Sequence, residues 1–189
     1  YKILPEMFHT WIKILDKVQN SVLWLLVDND IVKNNLKKIL VSKGIDQDRL
    51  LFTNRMMHSE HLARLKLADL FLDTYPCNAH TTASDSLRSC LPIITLRGNS
   101  FASRVTSSLL SSVGLAKLIT DTKQEYEELA IKIANENDYF DKIKNELKNN
   151  IKTKPLLNTR MFTKNLEKAY FNVYENYINN NIPETFEIN

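Results

Sequence analysis

A run of small hydroxyl residues stands directly before a predicted helix in the stretch LDTYPCNAHTTASDSL, residues 72–87. Thr81, Thr82 and Ser84 bring hydroxyls to the first turn of that helix, where the backbone N–H groups have no intrahelical partner. Because the helix dipole places roughly half a positive charge at this end, the pattern favours a phosphate ligand. The alternative is that Thr81 and Thr82 only cap the helix, which is the commoner use of threonine there.

An acidic residue lies one turn further along the same helix. Asp85 follows Thr81 by four residues, so the two side chains lie on one side of it. A carboxylate beside a phosphate site is suited to accept hydrogen bonds from ribose hydroxyls, by analogy with dinucleotide-binding folds. The alternative is an acid that only complements the helix dipole. The chain has three glycines and neither a Walker motif nor G-x-G-x-x-G, so no glycine-rich loop would hold the anion.

A second predicted helix start, HSEHLARL, places His58, His61 and Arg64 at positions i, i+3 and i+6. Two planar rings and a guanidinium on a common edge are able to stack on a base. An ordinary polar helix face explains the same pattern equally well.

Histidine and cysteine also offer four candidate zinc ligands, His58, His61, Cys77 and His80. Their spacing matches no common zinc finger, and His80 lies at the mouth of a predicted helix. A chain with this much apolar sequence does not need a structural metal. We therefore expect no metal ion.

Helical and strand-like patterns alternate along the part of the chain that must position these residues. Short apolar runs predict strands over residues 22–27, 49–53, 70–74, 93–96 and 117–120. Apolar residues at helical spacing predict helices over residues 6–18, 31–44, 60–68, 81–90 and 100–113, with Gly44 as a C-terminal cap. Only helical patterns follow, over residues 123–136, 138–150 and 163–178.

The alternation favours an α/β fold, with a Rossmann-like parallel sheet and helices on both of its faces. The continuous apolar run VLWLLV predicts a first strand buried on both faces. Ligands of such sheets bind at the carboxyl ends of the strands, where the chain enters a helix, as it does within residues 72–87. We expect one domain over residues 1–189, with an α/β core over 1–120, C-terminal helices over 121–180 and a frayed tail over 181–189.

The composition excludes several classes of partner. A net charge of +3 and scattered lysines give no basic surface for nucleic acid. No apolar run reaches the roughly 18 residues of a membrane span, so we expect no membrane partner. Two cysteines make no disulfide framework, which indicates a reducing compartment and a cytoplasmic or nuclear location.

Four stretches resemble the C-terminal half of the catalytic region of protein O-linked N-acetylglucosamine (O-GlcNAc) transferases. They are NSVLWLLV, EHLARLKLADLFLDTYPCNAHTTASDSL, PIITLRGNSFASRVTSSLL and PLLNTRMFTKNLEKAY, and the likeness runs in the same order from YKILP to the end of the chain. The resemblance implies the C-terminal lobe of a two-lobed GT-B glycosyltransferase, which binds the donor UDP-GlcNAc. It also implies inverting transfer to Ser or Thr of protein acceptors, without a metal or another cofactor.

The resemblance assigns roles to individual residues. Lys2 matches the lysine that meets the diphosphate, where a cation stabilises the leaving UDP, so it is the expected catalytic residue. The other matched positions would contact the donor: His80, Thr81 and Thr82 the diphosphate, Asp85 the ribose, His61 and Arg64 the uracil, and the backbone of Met56 the base.

The chain departs from the family pattern at positions close to these residues. The family sequence CNGHTTGMD reads CNAHTTASD here, with Ala79 and Ala83 in place of two glycines. If residue 79 must adopt a positive φ, the alanine costs about 1 kcal/mol and lowers donor affinity. His58 stands where the family carries a lysine near the nucleotide, so a permanent charge is lost.

The resemblance begins just before Lys2, so we expect a fragment that lacks the N-terminal catalytic lobe and the helical repeats. Such a fragment would bind donor weakly and transfer sugar undetectably by itself. Two alternatives stay open: a Spindly-like protein O-fucosyltransferase lobe that uses GDP-fucose, and a degenerate lobe retained as a non-catalytic interaction module.

Overall fold

The structure is a computed structural model that describes residues 2–188, so Tyr1 and Asn189 at the ends of the predicted domain lie outside it. The helices are α1 (Pro5–Lys17), α2 (Asp30–Ser42), α3 (His58–Leu65), α4 (Thr81–Arg88), α5 (Val105–Ser112), α6 (Lys123–Asn135), α7 (Asn137–Thr153) and α8 (Thr159–Ile178). The strands are β1 (Leu23–Leu26), β2 (Leu50–Thr53), β3 (Phe71–Leu72), β4 (Ile93–Leu96) and β5 (Ile119–Thr120). This order confirms the predicted alternation of helices and short strands.

All the strand pairs are parallel, and they form two hydrogen-bonded groups. β1 pairs with β2, and β3, β4 and β5 pair in that order. Every residue of β4 is buried, including the neighbours Ile93 and Ile94, whose side chains point to opposite faces. Helices therefore cover both faces of β4, which confirms the predicted α/β class.

The first strand is buried on one face only, which corrects the prediction from VLWLLV. Leu23 and Leu25 join the hydrophobic core, whereas Trp24 and Leu26 are 38% and 44% exposed. Successive side chains of a strand point to opposite faces, and only one face of the β1–β2 pair packs into the core. The guanidinium of Arg64 lies over the exposed ring of Trp24, 5.7 Å from its centroid.

Helix α1 packs against α6 through large apolar side chains. Met7, Phe8 and Trp11 of α1 are almost fully buried, as is Tyr126 of α6. Burial of each such side chain contributes about 1.5–3 kcal/mol. The indole N–H of Trp11 donates a hydrogen bond to the hydroxyl of Tyr126 at 3.4 Å, so the buried phenol has a partner.

Local sequence signals explain both ends of α2. The side chain of Asn29 caps α2 by accepting from the N–H of Val32, and Gly44 follows its end at a φ of +77°, as predicted. The predicted helix over residues 100–113 is divided instead. The hydroxyls of Ser100 and Ser103 each accept the other's backbone N–H, which closes a separate 3₁₀ turn before α5 begins.

The C-terminal part of the described chain is helical from α6 to α8, and residues 181–188 form neither helix nor strand. Helix α8 has no buried residue and exposes several large apolar side chains. Within residues 2–188, no helix combines the length and the apolar character needed to cross a membrane.

Candidate functional site

The loop that leads from β3 into α4 is tied to its neighbours through Asn78. The backbone N–H of Asn78 donates to the carbonyl of Ala102 at 2.8 Å, and its side-chain amide donates to the carbonyl of Thr74 at 2.8 Å. Asn78 is fully buried, so these bonds replace solvent at its two donor groups, while its Oδ1 has no hydrogen-bond partner among the described residues.

Helix α4 begins without a side-chain cap. His80 occupies the N-cap position and makes no capping hydrogen bond, while Thr81 and Thr82 are the first two helical residues and are exposed. The first hydrogen bond of the helix runs from the N–H of Ser84 to the carbonyl of His80 at 3.1 Å. The capping role considered for the two threonines is therefore wrong, because a cap must precede the helix. The N–H groups of residues 81–83 have no intrahelical partner.

The ring of His80 has an unpaired nitrogen. Its Nε2 atom is buried and has no hydrogen-bond partner among the described residues. The ring meets the ring of Phe101 edge-on, with 6.1 Å between the centroids. A buried ring nitrogen normally has a partner, so His80 keeps an unsatisfied hydrogen-bonding group at the start of α4, as Asn78 also does at its nearby Oδ1.

Lys2 lies against the loop that precedes α4. Its ammonium group donates to the carbonyl of Asn78 at 2.8 Å. The fold therefore places the ammonium of Lys2 against Asn78, which is two residues before His80 and 76 positions after Lys2 in the sequence.

Asp85 of α4 contacts His58, the first residue of α3. The Nε2 atom of His58 lies 3.4 Å from both carboxylate oxygens of Asp85. The Asp85 side chain is 13% exposed and the His58 ring is 65% exposed. The pair thus places a largely buried acceptor beneath an accessible ring.

Arg64 and His61 form a second pair on α3. The guanidinium of Arg64 donates to the hydroxyl of Thr53 at 2.6 Å and lies 3.0 Å from Nδ1 of His61. Because arginine only donates, Nδ1 must accept, and the ring proton of His61 is then on Nε2. Burial lowers the pKa of His61 first, and the positive charge of Arg64 lowers it further. The ring of His61 is therefore neutral, and its Nε2–H group is available to donate a hydrogen bond.

Three further positions of the predicted site are Ala79, Ala83 and Met56. Ala79 is not among the described residues with a positive φ, so the condition for a strained alanine is not met. Ala83 is fully buried inside α4, a position that suits alanine. Met56, 43% exposed, lies in the loop before α3, and its contact with a base stays a prediction.

Two cavities lie away from the predicted site residues. One, of about 600 Å³, lies between α1 and α6, and another, of about 430 Å³, lies beside β5 and α6. None of the predicted site residues lines either cavity. Within residues 2–188, no group of three or more His, Cys, Asp or Glu side chains is placed to hold a metal ion, so the four zinc candidates do not form a site.

The sequence did not indicate two residues that lie near α4. Phe101, which is 82% exposed, follows the loop after β4, and Asp73 is fully buried at the end of β3. Their positions at the carboxyl ends of neighbouring parallel strands were the available signal. Residue type alone gave none.

These features define a parallel α/β protein with an uncapped helix start beside two neighbouring strand ends. Residues 1–166 match glycosyl transferase family 41, and the chain belongs to this family. The resemblance to O-GlcNAc transferases is thereby confirmed.

Relatives extend the match over the whole chain. It is 36% identical over 189 residues to the probable UDP-N-acetylglucosamine-peptide N-acetylglucosaminyltransferase SEC of Arabidopsis thaliana, covering 100% of this chain and 19% of that protein. It is 39% identical over 140 residues to the UDP-N-acetylglucosamine-peptide N-acetylglucosaminyltransferase of Caenorhabditis elegans, covering 74% of this chain and 12% of that protein. It is 31% identical over 186 residues to the probable UDP-N-acetylglucosamine-peptide N-acetylglucosaminyltransferase SPINDLY of Petunia hybrida, covering 96% of this chain and 20% of that protein.

A solved structure supports the fold. An O-GlcNAc transferase mutant from Thermobaculum terrenum superposes with a TM-score of 0.83 at 29% sequence identity, covering 89% of this chain and 33% of that chain. This chain spans only 12–20% of the length of the curated relatives named above.

Proposed function

We propose that this chain is the donor-binding lobe of an inverting protein O-GlcNAc transferase and that it holds UDP-GlcNAc at the start of α4. The observation that carries the proposal is the uncapped helix start, where the buried Nε2 of His80 lacks a partner and the ammonium of Lys2 lies close by. Free N–H groups, an unpaired ring nitrogen and a cation together suit a diphosphate.

The diphosphate would be bound by hydrogen-bond donor groups alone. Its oxygens would accept the N–H groups of the first turn, the hydroxyls of Thr81 and Thr82, and a proton on Nε2 of His80. As the bond between the sugar C1 and the UDP oxygen breaks, negative charge grows on the β-phosphate and the ammonium of Lys2 stabilises it. The oxygen of the acceptor hydroxyl bonds to C1 from the opposite face, which inverts the configuration, and the proton of that hydroxyl passes to solvent. No step calls for a metal or another cofactor.

The nucleoside would lie between α3 and α4. The carboxylate of Asp85 would accept hydrogen bonds from the ribose hydroxyls, and His58 contacts the same carboxylate from the exposed side. The Nε2–H of His61 would donate at the edge of the uracil, with Arg64 holding the ring in place. The backbone of Met56 would complete the contacts with the base.

Transfer would need more than this chain. The relatives are several times longer than the chain. We therefore include the N-terminal catalytic lobe, the helical repeats and protein Ser/Thr acceptors as proposed partners, with a cytoplasmic or nuclear location.

Calorimetric titration with UDP and with GDP, repeated in the presence of EDTA, tests the proposal. We expect saturable UDP binding that outcompetes GDP and survives the chelator. Asp85→Ala should weaken UDP binding about tenfold or more, because hydrogen bonds to a charged acceptor are lost. Asp141→Ala, at an exposed acid of α7, is the control of equal charge and should leave UDP binding unchanged.

Each other outcome has a definite meaning. A preference for GDP would contradict the assignment of the donor and favour the Spindly-like fucosyltransferase alternative. Binding of neither nucleotide would contradict donor binding by this chain and favour the degenerate interaction module.

A further inference from the structure

Asp73 is a fully buried carboxyl group at the end of β3. Its Oδ1 atom accepts the backbone N–H of Thr74 at 2.8 Å and that of Ala79 at 2.7 Å. Its Oδ2 atom accepts the hydroxyl of Thr95 at 2.6 Å. Three donors from different parts of the chain therefore converge on one side chain.

The bond to Ala79 closes the loop that leads to His80. Ala79 lies six positions after Asp73, and its own carbonyl accepts the hydroxyl of Thr106 at 2.8 Å. The peptide groups on both sides of Ala79 are thus fixed by buried partners. The direction in which His80 and the first turn of α4 leave the loop depends on these two bonds.

Asp73 is itself anchored to the core. The hydroxyl of Tyr126 donates to the backbone carbonyl of Asp73 at 3.0 Å, and the indole of Trp11 donates to Tyr126 in turn. The loop is therefore anchored to α1 and α6 through the buried side chains of Trp11 and Tyr126.

A buried carboxyl group is a costly way to obtain stability alone. Burial raises the pKa of Asp73, although the hydrogen bonds from Thr95 and Ala79 oppose this. The ionised form is therefore disfavoured by folding, and an uncharged acceptor of the same shape would avoid that cost. A role of the Asp73 carboxyl group in positioning the start of α4 would explain why an acid is found here.

We propose that Asp73 is a positioning residue for the donor: its carboxyl group fixes residues 74–79 so that His80 and the first turn of α4 meet the diphosphate. The inference rests on the proposed function. Asp73 acts through Ala79 and does not touch the nucleotide.

The test compares UDP affinity by calorimetry with the thermal midpoint of the same variants of this chain. Asp73→Ala leaves the N–H of Ala79 unpaired and should weaken UDP binding about tenfold or more. Asp73→Asn keeps an oxygen acceptor and should restore UDP affinity to within about threefold of the unmodified chain.

A matched control separates positioning from general stability. Thr120 is also buried in the sheet, and its hydroxyl donates to the carbonyl of Thr95 at 3.0 Å without reaching the loop. Thr120→Val should lower the thermal midpoint and leave the UDP affinity unchanged. Should Asp73→Ala fail to fold, Thr106→Val takes its place, because it releases the carbonyl of Ala79 and should weaken UDP binding about threefold or more.

The outcomes distinguish this inference from the proposed function. If the unmodified chain binds UDP and a folded Asp73→Ala, or Thr106→Val in its place, binds equally well, the inference alone is overturned. Equal loss of affinity in Thr120→Val would also overturn it, since stability would then explain the effect. If the unmodified chain binds no UDP, both proposals fail.

Discussion

The ring of His61 is held between the protein interior and a cation. Burial and Arg64 both disfavour its protonated form, in that order of importance. Nuclear magnetic resonance titration of the ring should therefore give a pKa below the ordinary value of about 6.5. Arg64→Met should raise that pKa, because it removes a positive charge 3.0 Å from Nδ1. An ordinary pKa in the unmodified chain would contradict the assigned neutral ring.

The same shift predicts how stability depends on pH. A base whose pKa is lower in the folded state than in the unfolded state stabilises the fold when it is neutral. The contribution of His61 is therefore present above about pH 6.5 and is lost as the pH falls through the lowered pKa. The thermal midpoint should fall more steeply between pH 7.5 and 5.5 in the unmodified chain than in His61→Gln. Parallel curves would show that His61 is not coupled to folding.

At the scale of elements, Gly98 allows the loop after β4 to approach the loop before α4. A Cβ atom at this position would lie 2.4 Å from Oγ of Ser103 and 2.9 Å from a ring carbon of Tyr75. Ser103 is buried, so it cannot move away freely. Gly98→Ala should lower the free energy of unfolding by about 1–3 kcal/mol, measured by denaturant unfolding.

Asn99→Ala, at the exposed neighbouring position, is the control for Gly98→Ala and should change stability by less than about 0.5 kcal/mol. Equal stability of the two variants would show that the loops tolerate a Cβ atom at residue 98.

The sequence predicts these elements to different depths. Periodicity sufficed for α1, which has one buried face, and for α2, whose ends are marked by Asn29 and Gly44 although only Leu40 is buried. It failed for β1, since an apolar run does not show which face another element covers, and Trp24 is exposed. It gave the start of α4 at Thr81 correctly, but it did not show that His80 rather than a threonine is the N-cap.

The candidate site was predictable only in part. Short-range spacing identified Thr81, Thr82 and Asp85, because they share one helix turn. The bond from Lys2 to Asn78 was beyond composition and spacing, since only the fold joins these segments, and only the family resemblance assigned Lys2 a role. The position of Asp73 at a strand end was the only signal, because a buried acceptor is recognised by its partners, and these come from Thr95 and Ala79.

At the scale of the whole molecule, this chain spans only a small part of the length of its relatives. It covers 33% of the solved transferase structure with which it superposes. We expect that the purified chain, incubated with UDP-GlcNAc and a Ser/Thr peptide, transfers no detectable sugar by mass spectrometry. UDP binding in the same buffer is the control for a competent site. Robust transfer would contradict the division of labour between this lobe and the rest of the protein.

Residue-resolved mapping of UDP on the isotopically labelled chain tests the central claim most directly. In two-dimensional amide spectra, titration with UDP should shift the signals of residues 80–83, because their backbone N–H groups would meet the diphosphate. Smaller shifts should follow at His61 and Asp85, around the nucleoside. Shifts confined to the groove between α1 and α6, with the start of α4 unchanged, would contradict the account.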